Sequence, residues 1–178
     1  MNYTGNLSFS KRVEPFDVLS ADEFRATVIE QFGDAHPAVG LLGDADTDWQ
    51  NEVFETAVGT DHNLSLSGGI AEFLPYRVSA GYTDRKGILK TDKFERTTAS
   101  INLSPKFLDN TLQVNASVKG MQSKNRFADR SAIWTANSFD PTQSIRDESS
   151  PYGGFFTWTN IEGFPNGLAP KNPVSFLE

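Results

Sequence analysis

From His62 onward the chain alternates polar and apolar side chains with a period of two, and four segments sustain the pattern. HNLSLSGG sets Asn63, Ser65 and Ser67 against Leu64 and Leu66, and YRVSAGYT sets Tyr76, Val78, Ala80 and Tyr82 against Arg77, Ser79, Gly81 and Thr83. RTTASINLS opposes Thr97, Ala99, Ile101 and Leu103 to Arg96, Thr98, Ser100 and Asn102. LQVNASVKG opposes Leu112, Val114, Ala116 and Val118 to Gln113, Asn115, Ser117 and Lys119. Successive side chains of a strand point to opposite faces, so each segment reads as a strand with one wet and one apolar face. The intervening DRKG (84–87) and SPKFLDNT (104–111) carry turn chemistry. The spacing therefore predicts an antiparallel meander over 62–83 and 94–120.

The triplet Asn-x-Ser occurs at Asn6, Asn63, Asn102 and Asn115. It is the acceptor for N-linked sugar in secreted eukaryotic proteins. Such chains usually carry disulfides, and this one has no cysteine. The geometric explanation is simpler: Asn and Ser two apart share one strand face, and the residue between them takes the other.

With 38% hydrophobic residues, the average composition has the look of a soluble protein. That average misleads if half of every strand faces water inside a barrel. No apolar run reaches 18 residues, which excludes a transmembrane helix and leaves a transmembrane β-barrel open. A net charge of −7 with scattered Lys and Arg excludes the basic face that nucleic-acid binding requires. The opening MNYTGNLSFSKR has neither a basic n-region nor an apolar h-region, so no signal peptide is read there.

Ahead of the strands, GNLSFSKR alternates as a short strand. Ser20 followed by Glu23 is a capping box, and with Gly33 it brackets a helix near 21–32. Residues 34–46 read as loop, and Thr47 with Gln50 suggests a second capping box opening a short helix over DWQNEVFETA. Asp44, Asp46, Asp48 and Glu55 imitate the spacing of a calcium loop, but Trp49 stands where that loop needs glycine. His36 and His62 lie apart with no cysteine to join them, so no metal site is expected. No nucleophile–base arrangement or carboxylate pair can be assembled by spacing, and no enzymatic role or cofactor is expected.

Residues 121–173 lose the alternation and are rich in Asn, Asp, Ser, Gly and Pro. A soluble sandwich would alternate too, but seldom tolerates so long a connection. Outer-membrane barrels pair short periplasmic turns with long extracellular loops. The closing APKNPVSFLE reads as the approach to a further strand, and so few strands cannot close a membrane barrel, so the sequence reads as cut at both ends.

The segments LSADEFR, TDWQNEVFETAVGTDHNLSLSGG, YRVSAGYTDRKGILKTDKFERTTASINLSPKFLDNTLQVNASVKG, SFDPTQSI and PNGLAPKNPVSFLE, in that order, resemble the SusC/RagA family of TonB-linked outer-membrane transporters. The resemblance implies a partial transmembrane β-barrel: mainly β, an antiparallel meander with one or two short N-terminal helices and a long extracellular loop. It implies the end of a plug domain over 1–46, a plug-to-barrel connection over 47–61, and the first barrel strands over 62–178 with the loop at about 121–173. It further implies import of glycans or peptides in the outer membrane of a Gram-negative bacterium. The implied partners are the TonB-ExbB-ExbD energising complex, a SusD-like surface lipoprotein, the substrate and outer-membrane lipid.

On that reading Asn63, Ser65, Ser67, Arg77, Ser79, Gln113, Asn115, Ser117 and Lys119 face the lumen. Tyr76 and Tyr82 belong to the lipid-facing band or its aromatic girdle. The otherwise polar loop concentrates aromatic residues, and Trp134, Phe139, Tyr152, Phe155, Phe156 and Trp158 are candidates to stack on sugar rings. Alternatively these aromatics hold the loop in shape or meet a lid subunit. A stand-alone soluble β-rich carbohydrate-binding module is the competing function.

Overall fold

The computed structural model describes residues 1–70, 73–109 and 111–178. The chain divides into two compact units, one of residues 1–11 and 56–127 and one of residues 12–55 and 128–178.

The first unit is a five-stranded antiparallel sheet of β1 (Asn2–Ser10), β2 (Ala57–Ile70), β3 (Leu74–Lys86), β4 (Lys93–Leu103) and β7 (Ala116–Arg126), in the order β1-β2-β3-β4-β7. A two-stranded hairpin, β5 (Lys106–Phe107) with β6 (Leu112–Gln113), lies between β4 and β7 in sequence. The meander is thus present and longer than expected. β2 starts at Ala57 rather than His62, and DRKG is not a turn: Asp84, Arg85 and Lys86 pair with Glu95, Phe94 and Lys93. Charge holds them in the strand, since Arg85 donates to Asp61 at 2.7 Å and Lys93 lies 3.5 Å from Asp84. The turn falls on 87–92, closed by Gly87 N–H to the Asp92 carbonyl, with Thr91 at φ 72°.

The fourth alternating segment is divided. Leu112 and Gln113 pair with Phe107 and Lys106, and the Val114 N–H donates to the Pro105 carbonyl, so the chain joins β4 only at Ala116. β7 then continues to Arg126, six residues into the stretch expected to be loop. Asn2–Ser10 pairs along its whole length with β2, from Asn2 opposite Ser65 to Ser10 opposite Ala57.

In the second unit Ser20 and Glu23 cap α1 (Ala21–Phe32) reciprocally, and the Gly33 N–H closes the helix onto the Ile29 carbonyl. α2 (Trp49–Val53) is shorter than its sequence suggests and is capped by Asp48, whose carboxylate accepts from the Asn51 N–H. Thr47 is not the cap; its hydroxyl donates to the Gln143 carbonyl at 2.7 Å. α2 packs against α3 (Ser131–Ala136) and a 3-10 turn over Pro173–Phe176. Trp49, Val53, Ala132, Phe139, Thr142 and Pro173 are buried in this unit. No described helix is long and apolar enough to cross a membrane.

Candidate functional site

Directly opposed residues of antiparallel strands share a face, so the register sorts the side chains of the sheet. On one face lie the cross-strand rows Asn2–Ser65–Ser79–Ser100–Lys119 and Ser67–Arg77–Asn102–Ser117. Side-chain hydrogen bonds run across this face: Ser79 with Ser100 at 2.8 Å, Ser117 to Asn102 at 2.8 Å, and, in a further row, Thr83 to Asp61 at 2.7 Å. On the other face lie Leu66–Val78–Ile101–Val118 and Tyr3–Leu64–Ala80–Ala99–Gly120. Asn6, Asn63 and Asn102 share the polar face, and the leucine following each takes the apolar one.

Among the described residues no second sheet covers the apolar face. Leu66, Val78, Ile101 and Val118 are 45%, 40%, 46% and 70% exposed, a contiguous apolar row that a water-soluble fold would bury. Of the residues expected on the polar face, Asn63, Ser65, Ser67, Arg77, Ser79, Ser117 and Lys119 share it. Gln113 and Asn115 do not join them in this sheet. Gln113 belongs to the small hairpin and Asn115 to the link before β7. Phe94 and Met121 fall on the polar face against the alternation.

The chain leaves the sheet for its two long irregular stretches after Ser10 and after Arg126, and returns at Ala57. These points and the 87–92 turn lie at one end, since Ser10 opposes Ala57, Gly59 opposes Arg85, and Lys93 opposes both Lys86 and Arg126. Ile70, opposite Leu74, and β5, whose Lys106 N–H donates to the Phe73 carbonyl, lie at the other end.

In the second unit the loop aromatics form a chain. Trp49 meets Phe139 edge-on at 4.8 Å, Phe139 meets Phe156 at 6.2 Å, and Phe156 meets Trp158 at 5.1 Å. Phe139 and Phe155 are buried, and the Arg146 guanidinium lies 4.0 Å from the Phe155 ring centre while pairing with Glu178. Tyr152 donates its hydroxyl proton to the Gly163 carbonyl at 2.8 Å. Trp134, on α3, is 77% exposed. The six candidates therefore do not converge on one surface.

The same unit holds a cleft of 910 Å³ lined by Phe16, Leu19, Glu23, Phe24, Asp46, Asp48, Trp49, Phe139 and neighbouring residues. Its walls are fixed by side-chain contacts that no sequence motif announced, those of Gln50 replacing the capping box expected of it. Buried Gln50 accepts from the Phe16 N–H at 3.0 Å and donates to the Phe16 carbonyl at 2.8 Å, and its oxygen also accepts from Arg12. Arg25 donates to the carbonyls of Gly43 and Ala45. Asp140, Thr142 and Gln143 of the SFDPTQSI segment bond to residues 41–49 through Gly43, Ala45, Thr47, Trp49 and Leu41. Hydrogen bonds from the Ser20 N–H and hydroxyl hold the Glu23 carboxyl below the usual range. Ser149 does the same for Asp147 through its hydroxyl and N–H. Among the described residues no group of three or more His, Cys, Asp or Glu is placed to hold a metal, the carboxylates at 44–55 included.

A two-faced antiparallel sheet with an open apolar side and its long excursions at one end is a section of transmembrane β-barrel wall. No family model matches the chain. Over its whole length it is 46% identical to the TonB-dependent receptor SusC of Bacteroides thetaiotaomicron, of which it spans 19%. Over 49% of its length it is 32% identical to the TonB-dependent receptor P3 of Formosa agariphila, spanning 8% of that protein. In structure 98% of it matches 23% of a chain in the RagAB peptide transporter, with a TM-score of 0.55 at 16% identity, a likeness of fold. The chain belongs to the SusC/RagA-type TonB-dependent receptors, outer-membrane proteins of Gram-negative bacteria, and it corresponds to one part of such a receptor.

Proposed function

We propose that this segment forms part of the wall and the outward loops of a TonB-dependent importer for glycans or peptides, with its polar face toward the lumen and its apolar face toward lipid. The observation that carries the reading is the separation of side chains by face across five strands, with the apolar rows left exposed. On this reading Asn2–Ser10 belongs to the wall with 56–127. The wall would act as a passive conduit, opened when the TonB-ExbB-ExbD complex pulls on a plug and covered by a SusD-like lipoprotein. Among the six candidate aromatics Trp134 is the exposed one and is offered to a substrate ring; Phe139 and Phe155 serve packing.

Because the chain has no cysteine, single-cysteine probes test this without background. A spin label at Ile101→Cys in the intact receptor is expected to be relaxed by oxygen dissolved in lipid, and one at Ser100→Cys by an aqueous nickel complex. The reverse pattern, or equal aqueous access at both, would refute the assignment of faces.

A further inference from the structure

Beyond the apolar rows, toward the end where the long excursions leave, the same face changes character. Lys86, Lys93 and Arg126 lie in one cross-strand row, and Asp84, Glu95 and Lys124 lie in the next. Lys93 is held by Glu95 at 2.9 Å and by Asp84 at 3.5 Å. The two rows together carry four cations against two carboxylates, on a chain whose net charge is −7. Lys86, Lys124 and Arg126 are exposed. Immediately below, Tyr82, Glu95, Thr97, Gln122 and Lys124 line a shallow recess of 200 Å³, with Ala80, Ala99 and Gly120 in the following row.

We propose that Lys86, Lys124 and Arg126, with the recess beneath them, form a docking site for a phosphate-bearing lipid of the outer leaflet. The proposal rests on the assignment of the apolar face to lipid. In outer-membrane barrels the long loops are extracellular, so this end meets the outer leaflet. A cationic row directly above an apolar surface matches a molecule with an anionic head and acyl chains, and each cation near a headgroup strengthens such binding several-fold. The long stems of Lys and Arg lie along the apolar strands while their charges reach the headgroup level. A free phosphate would use the cations and gain nothing from the rows below them.

The test uses the intact receptor in phosphocholine nanodiscs doped with lipid A or with its dephosphorylated form, counting retained lipid by native mass spectrometry. The expected result is at least tenfold preference for the phosphorylated lipid, lost in K86Q/K124Q/R126Q and kept in R77Q/K119Q on the opposite face. Equal retention of the two lipids by the unmodified receptor would overturn the proposal with no variant needed. So would displacement of the lipid by millimolar inorganic phosphate. The Ile101→Cys label separates the two readings. Oxygen-accessible Ile101 with no lipid preference removes the docking site alone, whereas water-exposed Ile101 removes the wall assignment and the site with it.

Discussion

Gly43 donates its N–H to the Thr142 hydroxyl at 2.9 Å, and a Cβ on Gly43 would stand 2.2 Å from the Thr142 carbonyl oxygen. Two segments about a hundred residues apart in sequence thus meet with no room for a side chain. Gly43→Ala must push the two segments of this contact apart and is expected to cost about 1–3 kcal/mol, as overpacking does. Amide exchange over 41–47 and 140–143 in the intact receptor should speed at least tenfold. Unchanged exchange would mean that the contact yields without strain.

Thr142 is fully buried, and its hydroxyl both accepts from Gly43 and donates to Asp140 at 2.7 Å. Thr142→Val keeps the shape and leaves both partners without their bond, which is expected to cost about 1–3 kcal/mol. Thr142→Ser retains the hydroxyl and should recover most of that loss. Denaturant unfolding of the two variants side by side makes the comparison, and a Ser variant as weak as Val would shift the explanation to the methyl group.

Gln50 brackets the Phe16 backbone with both ends of its amide. Gln50→Leu removes these bonds from a buried site together with the one Arg12 donates to the same oxygen at 2.7 Å, and leaves Arg12 its bond to Asn51 and its place over the Phe54 ring. Limited proteolysis after Arg12 should then be at least several-fold faster, since the segment loses three of its hydrogen bonds to α2 and keeps the one from Arg12 to Asn51. Resistance equal to that of the unmodified protein would show another contact holding it.

Helix α1 should respond to acid through Glu23. Its folded-state pKa is lowered, first by the bond from the Ser20 N–H and then by the Ser20 hydroxyl. A depressed carboxyl stabilises the fold above its ordinary pKa of about 4.3, and that contribution is lost as pH falls through the lower folded value. Fraying of residues 20–24 is therefore expected on acidification and not between pH 6 and 8. Glu23→Gln keeps the reciprocal cap without the charge, so exchange in this peptide relative to the Gln variant should change only at acid pH. A difference that persists unchanged to neutral pH would contradict the titration.

The sharpest energetic contrast lies in β4, which β3 and β7 flank. Ile101→Arg puts a charge on the apolar face and is expected to cost about 2–4 kcal/mol if it lies near the bilayer midplane, whereas Ser100→Arg on the polar face should cost far less if that face lines the lumen. Unfolding both variants from bilayers reads the difference. Equal penalties would reverse the meaning of the alternation.

The period of two in 62–83, 96–103 and 116–119 was enough to define strands, faces and meander order, because a pleated strand must alternate whatever surrounds it. The same physics made the Asn-x-Ser repeats legible as a face pattern at Asn6, Asn63 and Asn102. Ser20 and Glu23 announced α1 because a capping box is built from neighbours in sequence. Contacts distant in sequence were not legible. Asn2–Ser10 alternates as a strand, but only pairing with β2 assigns it to the sheet. Val114 and Asn115 alternate perfectly and still lie outside β7, because the β5–β6 hairpin takes the chain first. Thr47 reads as a helix cap until Gln143, 96 residues away, takes its hydroxyl proton. Alternation and capping are local and leave a mark in the order of residues. Which strand edge is met, which carbonyl a hydroxyl reaches, and which aromatic rings are buried depend on where the distant chain returns, and only the tertiary structure decides that.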